Sequence, residues 1–259
     1  MGIDIIGSKE KAVAIVEIPE NKRESEIVEK IFRNNKHVKS ILKKIPGRIG
    51  DYRLWNLEII AGDENTEVIH KEYNYLLKLD PKKVYFSPRE AKERQRIASS
   101  VNENETVMLF FAGIGSYAVA IAKRQPKVKK IIAIEINPEA FHYMHENIRI
   151  NKISHLVEPI LGDVRIEAKK FFNLCDRVIM PLPLEAEKFL DLAESCIKGK
   201  GIIHFYSIDN ENFDSSLEKI GKFLKNYKII NKEIVLPYSP GKFKVCLDVE
   251  INRFKNFKG

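Results

Sequence analysis

The chain reads TVMLFFAGIGSYAVAIAK from Thr106 to Lys123, and this stretch decides the fold. Its apolar run, Val107 to Phe111, is short and aromatic enough to form a buried strand. Gly113 and Gly115 follow and lead into a helical run, so that a G-x-G-x-x-A pattern is completed at Ala118. A glycine lets the backbone come close to a ligand, and the free N–H groups at the start of a helix can bind the ligand's polar atoms. The pattern alone fits a nucleotide-like ligand and an ordinary strand-to-helix connection about equally well.

Two acidic residues follow at the ends of the next two predicted strands. The strand Lys130–Ile136 contains Glu135, 22 residues beyond Gly113, and the strand Val157–Leu161 is followed by Asp163. Parallel strands bring their carboxyl ends to one edge of a sheet, so the glycine turn and both acids are expected to meet there. The first acid suits two ribose hydroxyls, and the second can accept a hydrogen bond from an adenine amine. This set resembles class I S-adenosylmethionine-dependent methyltransferases more than NAD enzymes, whose glycine fingerprint is fuller.

Length and composition limit the possible classes of protein. The 259 residues, 44% of them hydrophobic, are enough for one large domain or two modest ones with a real core. No run of about 18 apolar residues is present, and the N-terminus lacks a basic start and a cleavage site, so we expect a cytoplasmic protein. The three cysteines, Cys175, Cys196 and Cys246, match no metal or disulfide spacing and are expected to be small core residues.

The chain carries a formal net charge of +8, which favours a polyanionic partner such as RNA. The surplus of basic residues is shared equally between residues 1–98 and 99–259, so it is not confined to one tail. The alternative is a lysine-rich surface of the kind found in thermophilic proteins, where lysine and glutamate are both abundant. Charge alone therefore makes an RNA partner only a modest expectation.

The rest of the chain predicts two domains. Residues 1–98 are expected to form a small α+β domain with a connecting helix, and residues 99–259 an α/β, Rossmann-like domain with seven strands. In the first domain we predict a strand at 11–18, a helix at 22–33, a short element at 38–45, short strands at 57–61, 66–72 and 75–79, a short strand or linker at 84–87, and the connecting helix at 88–101. Beyond Asp163 we predict a strand at 177–180, a helix at 184–197 closed by the glycines at 199 and 201, a strand at 202–207, a helix at 212–225, and a hairpin of 229–236 with 243–251.

Seven segments resemble one named family. They stand in order as IHKE (69–72), KVYFSPREAKERQRIAS (83–99), FAGIG (111–115), AIEINP (133–138), GDVR (162–165), DRVIM-x-LP (176–183) and GIIHFYS (201–207). Together they are similar to the archaeal and eukaryotic tRNA (guanine-37) methyltransferase family, including its wyosine-pathway branch. The resemblance covers roughly residues 45–252, and the YFSPR…ER and DRVIM-x-LP segments are its most specific parts. Many members carry a further N-terminal tRNA-docking domain, which this chain is expected to lack.

The resemblance implies an S-adenosylmethionine-dependent tRNA methyltransferase acting on the purine at position 37, next to the anticodon. Its target would be ring nitrogen 1 of guanine, carbon 7 of 4-demethylwyosine, or both. Glu93 would be the general base, which requires partial burial because a surface glutamate is too acidic to be an efficient base. Arg53 would stabilise negative charge on the guanine oxygen. For Glu93 the simpler alternative is a surface i,i+4 ion pair with Arg89.

The resemblance also implies which residues bind the cofactor and the partner. The expected cofactor is S-adenosylmethionine, and the residues assigned to its binding are Tyr85, Arg89, Arg94, Phe111, Gly113, Glu135, Ile136, Asp163, Val164 and Pro181. The expected partner is the anticodon arm of tRNA, facing the domain of residues 1–98. We expect a monomer without a metal ion or a membrane partner, and we assign no catalytic role to any histidine.

Two positions depart from the family pattern. The acid that usually precedes Phe-Ala-Gly is replaced by Leu109, and the asparagine of Asn-Leu-Pro is replaced by Pro181. Proline offers neither a side-chain hydrogen bond nor a backbone N–H, so Pro181 favours a carbon over a nitrogen as the methylated atom. The aminocarboxypropyl-transferring relatives typically have Met-Gly-Tyr at this point, which disfavours that reaction.

The same two departures allow a second reading, a catalytically retired fold that binds RNA or a protein partner. The retained Glu135, Asp163, Arg53 and Glu93 argue against it. A small-molecule methyltransferase would leave the basic N-terminal unit unexplained.

Overall fold

A computed structural model describes residues 2–49, 52 and 54–254 of the chain. The N-terminal part is a four-stranded sheet in the order β1-β2-β3-β4, with one helix and a separate hairpin. Its elements are β1 (Ile3–Gly7), β2 (Ala12–Val16), α1 (Glu24–Asn34), β3 (Val38–Ile49), β4 (Leu54–Gly62), β5 (Val68–Glu72) and β6 (Tyr75–Leu79). Strands β2 and β3 are parallel and joined through α1, whereas the pairs β1–β2, β3–β4 and β5–β6 are antiparallel.

Helix α1 covers one face of this small sheet because its apolar residues recur at helical spacing. Ile27 and Ile31 are buried in one cluster with Ala12, Ala14 and Val16 of β2. After the hairpin, a 3₁₀ turn at Pro88–Glu90 leads into α2 (Ala91–Ser100), which connects the two parts of the chain. The proline fits the start of this segment because the first residues of a helix need no N–H for the helical hydrogen bonds.

The C-terminal part is a seven-stranded sheet in the order β12-β13-β11-β10-β7-β8-β9. Strands β9, β8, β7, β10 and β11 are parallel, and the terminal hairpin of β12 and β13 adds two antiparallel strands. The strands are β7 (Thr106–Leu109), β8 (Lys130–Glu135), β9 (Val157–Leu161), β10 (Cys175–Met180), β11 (Ile197–Asp209), β12 (Tyr227–Ser239) and β13 (Lys242–Asn252). The helices are α3 (Ser116–Arg124), α4 (Pro138–Ile150), α5 (Val164–Glu167), α6 (Leu190–Cys196) and α7 (Asp214–Phe223). The predicted class of fold is confirmed.

Alternate residues of the central strands face two separate cores, as the two-residue period of a strand requires. Val107 and Leu109 of β7 join a core with residues of α2, α3 and α4, and this core continues into the N-terminal sheet through Leu42. Met108 and Phe110 join a second core with α5, α6 and α7. The predicted boundary between residues 98 and 99 therefore lies within a continuously packed region, and it stays a prediction.

Three differences from the predicted elements have local causes. Strand β1 was not predicted, whereas residues 84–87 form the linker that was one of the two alternatives predicted there. The helix predicted at 184–197 is shortened to a 3₁₀ turn and α6, because Glu185 adopts a left-handed conformation with φ of 62°. Gly201 lies inside β11 instead of ending a helix: a Cβ there would come within 2.4 Å of the Asp176 carbonyl oxygen, so glycine allows the two strands to approach. Among the described helices, none is long and apolar enough to cross a membrane.

Candidate active site at the carboxyl edge of the sheet

The glycine turn after β7 is fastened to the neighbouring strands on both sides. The Phe110 amide donates to the carbonyl of Ile179 in β10 at 3.0 Å, and the Ala112 amide donates to the carbonyl of Ile134 in β8 at 2.9 Å. Phe111, which lies between these two hydrogen-bonded residues, adopts a left-handed φ of 57°. That conformation costs a residue other than glycine about 1–3 kcal/mol, and such strain concentrates at functional sites. The Phe111 ring is held edge-on against Phe189 at 4.9 Å between centroids.

The two glycines of the turn serve different purposes. Both have left-handed φ values, 56° at Gly113 and 76° at Gly115, which disfavour any other residue. A Cβ on Gly115 would meet the Met144 side chain at 2.8 Å, so this glycine allows α3 and α4 to pack. A Cβ on Gly113 would have no atom within 4 Å. Gly113 therefore borders open space, where a ligand can approach the backbone.

Glu135 ends β8 directly beside Gly113. Its Oε2 accepts the Gly113 N–H at 2.6 Å and its Oε1 accepts the Asn137 N–H at 2.8 Å. Burial raises the pKa of the Glu135 carboxyl above its ordinary value, and the backbone amides only partly oppose that shift. The Ile136 amide also acts on this carboxylate. A carboxylate can accept about four hydrogen bonds, so Glu135 has capacity left for a hydroxyl group of a ligand.

Asp163 lies on the next strand connection of the same edge. The Gly162 amide, one residue before it, donates to the Glu135 carbonyl at 2.9 Å. Asp163 caps the start of α5 by accepting the Arg165 N–H at 2.8 Å. The Arg165 side chain also donates to the Asp163 carboxylate, which holds the pKa of Asp163 below its usual value. Val164 is buried under this turn, while Ile136, after β8, is half exposed at the edge.

Glu93 reaches the carboxyl edge from α2. It is 5% exposed, and its Oε1 accepts the hydroxyl hydrogen of Tyr206 at 2.5 Å. Tyr206 directly follows Phe205, whose register partner in β10 is Met180, so Tyr206 and Pro181 stand at the same level of the sheet. The sheet thus brings Pro181, the glycine turn, Glu135 and Asp163 to one edge. The Glu93 carboxylate lies at the same level, because it accepts a hydrogen bond from Tyr206 of β11. The alternative of a surface pair with Arg89 is wrong.

The remaining predicted residues divide into exposed and buried ones. Arg89 is exposed and donates from Nε to Asp4 of β1 at 2.5 Å, and Tyr85 is 45% exposed. Arg94 is buried in an ion pair with Glu72, with its Nε 2.9 Å from a Glu72 oxygen. Its guanidinium also donates to the Ser87 carbonyl and lies over the Phe86 ring. Arg94 therefore holds the Ser87-Pro88-Arg89 segment in place through buried contacts. Arg53 lies outside the described residues.

A buried chain of charged side chains behind Glu93 was not predicted from the sequence. Arg96 joins Glu93 to Asp248 of β13, and Asp248 in turn accepts from His204 of β11 at 2.6 Å. We call this chain the α2 charge network; its described members are Glu93, Arg96, Asp248, His204, Arg177 and Glu105. Strand register was the available signal, since His204 pairs with Asp248 across β11 and β13. The i,i+3 spacing of Glu93 and Arg96 on α2 was a second signal, but the pairing of Arg96 with Asp248, 152 residues away, could not be read from the sequence.

The polarity of the network fixes the state of its histidine. The Arg177 guanidinium, which can only donate, lies 2.7 Å from Nε2 of His204, so Nε2 carries no hydrogen and Nδ1–H donates to Asp248. Burial likewise lowers the pKa of His204, which is consistent with a neutral ring. His204, Cys246 and Asp248 offer ligand atoms within 4.8 Å of one another. Because Arg96 donates to both Cys246 and Asp248, this group is already bound to cations of the protein itself and does not suit a metal ion.

Comparison with known proteins gives the family. The TRM5/TYW2 methyltransferase domain model matches residues 68–232. The chain is 40% identical over 258 residues to the tRNA (guanine(37)-N(1))-methyltransferase Trm5b of Pyrococcus abyssi, covering 96% of this chain and 74% of that protein. It is 35% identical to the tRNA(Phe) (4-demethylwyosine(37)-C(7)) aminocarboxypropyltransferase of Methanocaldococcus jannaschii, covering 96% and 100%. It is 31% identical to the tRNA 4-demethylwyosine(37)-methyltransferase Taw21 of Saccharolobus solfataricus, covering 96% and 94%.

Solved structures agree with these relatives. The complex of aTrm5 with tRNALeu superposes with a TM-score of 0.85 at 35% identity, covering 97% of this chain and 72% of that one. The complex of M. jannaschii TYW2 with AdoMet superposes with a TM-score of 0.74 at 32% identity, covering 98% and 100%. The glycine turn, the two acids of the sheet edge and the matches in sequence and structure lead to one assignment: the chain belongs to the TRM5/TYW2 family of S-adenosylmethionine-dependent methyltransferases.

Proposed function

We propose that the chain transfers the methyl group of S-adenosylmethionine to the purine at position 37 of tRNA. The observation that carries this proposal is the meeting of Gly113, Glu135 and Asp163 at one sheet edge, with Glu93 anchored at the level of Pro181. The open space beside Gly113 and the remaining hydrogen-bonding capacity of Glu135 suit a ligand with ribose hydroxyls. The relatives Trm5b and Taw21 carry names for methyl transfer at this tRNA position.

The residues of the edge would hold the cofactor by different interactions. The Gly113 turn would approach it through the backbone, and Glu135 would accept from a ribose hydroxyl. Asp163 would accept from the adenine amine, beside the apolar surfaces of Ile136 and Val164. The resemblance also assigns Phe111, Pro181, Tyr85, Arg89 and Arg94 to cofactor binding, with Arg89 and Arg94 orienting the cofactor and the target base. When bound, S-adenosylmethionine supplies an electrophilic methyl group on a sulfonium centre.

Glu93 would supply the base. Methylation at ring nitrogen 1 forms an N–C bond as the C–S bond breaks, and the nitrogen's proton must pass to an acceptor. Methylation at a ring carbon forms a C–C bond and likewise ends with loss of a proton from that carbon. A carboxylate held at the sheet edge can take the proton in either case. Arg53 would stabilise negative charge on the oxygen of the target guanine, as the resemblance implies.

The identity of the methylated atom depends on the residue after β10. Pro181 offers a base edge neither a side-chain hydrogen bond nor a backbone N–H, which favours carbon 7 of 4-demethylwyosine over nitrogen 1 of guanine. The Taw21 and Trm5b relatives carry the names of the two alternatives. The sequence Met180-Pro181-Leu182-Pro183 disfavours aminocarboxypropyl transfer, the reaction in the name of the M. jannaschii relative.

One assay tests the reaction and its alternatives. The protein is incubated with S-adenosylmethionine carrying tritium in the methyl group and carbon-14 in the carboxyl group. The acceptors are tRNA with guanosine at position 37 and tRNA with 4-demethylwyosine there. Methyl transfer gives tritium alone on the tRNA, and aminocarboxypropyl transfer gives carbon-14 alone. Calorimetry with S-adenosylhomocysteine completes the test, because absence of both binding and label would identify a retired fold.

The partner would be the anticodon arm of tRNA, which the domain of residues 1–98 would face, and the enzyme would work in the cytoplasm as a monomer. A net charge of +8 supports a polyanionic partner. Because phosphate contacts release counterions, tRNA affinity should fall steeply with salt. Affinity measured in a series of salt concentrations tests this, and a flat series would contradict it.

A further inference from the structure

We infer that Arg96 and Tyr206 are positioning residues for Glu93, and that Oε2 of Glu93 is the oxygen that receives the proton. This inference rests on the proposed function, because it assigns a task to the carboxylate proposed as the base. It concerns two residues to which the sequence assigned no role in the site, although both lie in segments that resemble the family. Each contacts Glu93 directly and would act through it.

The two oxygens of Glu93 are unequally occupied. Oε1 accepts two hydrogen bonds, one from the Tyr206 hydroxyl at 2.5 Å and one from Nη2 of Arg96 at 2.8 Å. Oε2 accepts one, from Nε of Arg96 at 2.8 Å. Since each carboxylate oxygen can accept about two hydrogen bonds, Oε1 is filled and Oε2 keeps a lone pair. The fork of the guanidinium also fixes the plane of the carboxylate, and with it the direction of that lone pair.

Arg96 is itself fixed from the opposite side. Its Nη1 donates to Oδ2 of Asp248 at 2.6 Å, and Oδ1 of Asp248 is held by the Nδ1–H of His204 at 2.6 Å. Asp248 and His204 are register partners on the adjacent strands β13 and β11, each of which pairs with strands on both sides, so this support is rigid. Although burial alone would raise the pKa of Asp248, its bonds from His204 and Arg96 keep that pKa well below the ordinary value. Asp248 therefore stays charged and Arg96 stays in place over the working range of pH.

The other groups that face Glu93 do not titrate in that range. Tyr206 comes from β11, Tyr117 from α3 and Cys246 from β13. Burial raises the pKa of all three well above their ordinary values, so they remain protonated. Arg96 from α2 and Asp248 from β13 keep their charges. The buried Glu90 also raises the pKa of Tyr117 and is held by the Lys244 ammonium at 2.8 Å. Among the groups that contact Glu93 directly, none takes up a proton in that range, so we assign the proton to Glu93.

The sharpest test removes a single hydroxyl group. Tyr206→Phe removes a donor to Oε1 without changing the ring that fills the core. Tyr117→Phe is the matched control, because its hydroxyl is equally buried and donates to Tyr206 at 3.2 Å without bonding to Glu93. We expect Tyr206→Phe to lower the single-turnover rate constant about tenfold with tRNA affinity unchanged, since a misplaced catalytic group costs rate rather than binding. We expect Tyr117→Phe to stay within about twofold of wild type on the same measure. Equal effects of the two variants would overturn the inference.

A second pair of variants addresses Arg96. Arg96→Lys keeps the charge but loses the two-pronged contact, and Arg96→Gln loses both. We expect the rate constant to fall in both, more in Arg96→Gln, where the acid limb of the pH–rate profile should also move to higher pH because the positive charge facing the carboxylate is gone. An unmoved acid limb in Arg96→Gln would overturn the positioning role. A double-mutant cycle of Arg96→Gln with Glu93→Gln, measured by urea unfolding, tests the contact without turnover, and the absence of coupling would also overturn it.

The failure of this inference and that of the proposed function look different. If the wild type transfers methyl groups and Glu93→Gln does not, while Tyr206→Phe and Arg96→Gln keep full rate, the inference fails and the proposed function stands. If the wild type labels neither tRNA although it binds S-adenosylhomocysteine, the proposed function fails and the inference fails with it.

Discussion

The carboxyl edge of the large sheet and the α2 charge network are built in opposite ways. At the edge, backbone amides and strand ends do most of the work: Glu135 is held by the N–H groups of Gly113 and Asn137. In the network, side chains bind side chains that are up to 152 residues apart, as Arg96 and Asp248 are. The comparison teaches that local signals at the ends of successive strands can encode the edge proposed to bind the cofactor. The support of Glu93, the proposed base, needs the whole fold.

The two regions also differ in solvent exposure, and therefore in how much their ion pairs contribute to stability. The Asp163–Arg165 pair at the edge is largely exposed on the arginine side, where an ion pair contributes little. In the network, Arg177 is 1% exposed and its partner Glu105 is 13% exposed, so the loss of one partner leaves a largely buried charge uncompensated. Changes at the edge should thus alter ligand binding, and changes in the network should alter stability and rate.

The largest effect should come from Glu93, where the two regions meet. We expect Glu93→Gln to lower the single-turnover rate constant by about 10²–10⁴-fold, the usual contribution of a general base. S-adenosylhomocysteine and tRNA should bind as to wild type, because glutamine keeps the size of the side chain. Rapid-quench kinetics and calorimetry check this. A variant that keeps a tenth or more of the wild-type rate would remove Glu93 from the mechanism.

The network should also be sensitive at its far end. Arg177→Met should lower the free energy of unfolding by about 3–5 kcal/mol, because Glu105 loses its charged partner inside the protein. The matched control is Lys130→Met, which breaks a half-exposed pair with Glu158 and should cost about 0–1 kcal/mol. Urea unfolding measures both. Similar losses in the two variants would show that the network is not energetically distinct from the surface.

If Glu135 at the carboxyl edge binds the cofactor, the affinity for the cofactor should depend on pH. A ribose hydroxyl donates to the charged form of Glu135, and the raised pKa of this residue means that it takes up a proton at higher pH than an ordinary glutamate. Affinity for S-adenosylhomocysteine should therefore fall with decreasing pH, starting above the ordinary value of 4.5. In Glu135→Gln we expect an affinity about tenfold lower and almost independent of pH, equal to the loss of one charge-assisted hydrogen bond. Calorimetry over a pH series that extends down to the ordinary value of 4.5 is the measurement, and a wild-type affinity that does not fall before that pH is reached would contradict it.

The smallest effect should come from Arg165. Arg165→Ala removes an exposed ion pair and should change stability by less than about 1 kcal/mol. It also removes the competitor for the Asp163 carboxylate, so affinity for S-adenosylhomocysteine should rise slightly or stay equal. Asp163→Ala is the matched change on the other partner, and it should weaken binding. An Arg165→Ala variant that binds as poorly as Asp163→Ala would mean that the arginine itself contacts the ligand.

Much of the edge followed from the sequence because its signals are local. The apolar run, the glycines and the acids at the strand ends each depend on a few consecutive residues. Even there, the sequence did not distinguish the tasks of Gly113 and Gly115. That difference depends on Met144, which fills the space beside one glycine and is remote from the other.

Local signals also failed where distant contacts decide a conformation. The glycines at 199 and 201 looked like the end of a helix, yet Gly201 lies within β11 because the neighbouring strand comes too close for a side chain. Arg94 was predicted to bind the cofactor from its place in a motif, and the fold pairs it with Glu72 of the preceding hairpin. The role of Arg94 in cofactor binding stays a prediction.

By itself, the sequence determined the α/β class and the meeting of Gly113, Glu135 and Asp163 at the carboxyl ends of successive strands, the edge proposed to bind the cofactor. These depend on the spacing of apolar residues, on glycine and on the rule that parallel strands end together. Only the tertiary structure decided that Glu93 is buried, that Arg96 and Tyr206 hold it, and that Asp248 and His204 stand behind them. The physical reason is that an ion pair between buried side chains is set by the packing of distant strands, and no local pattern of residues records which partners that packing brings together.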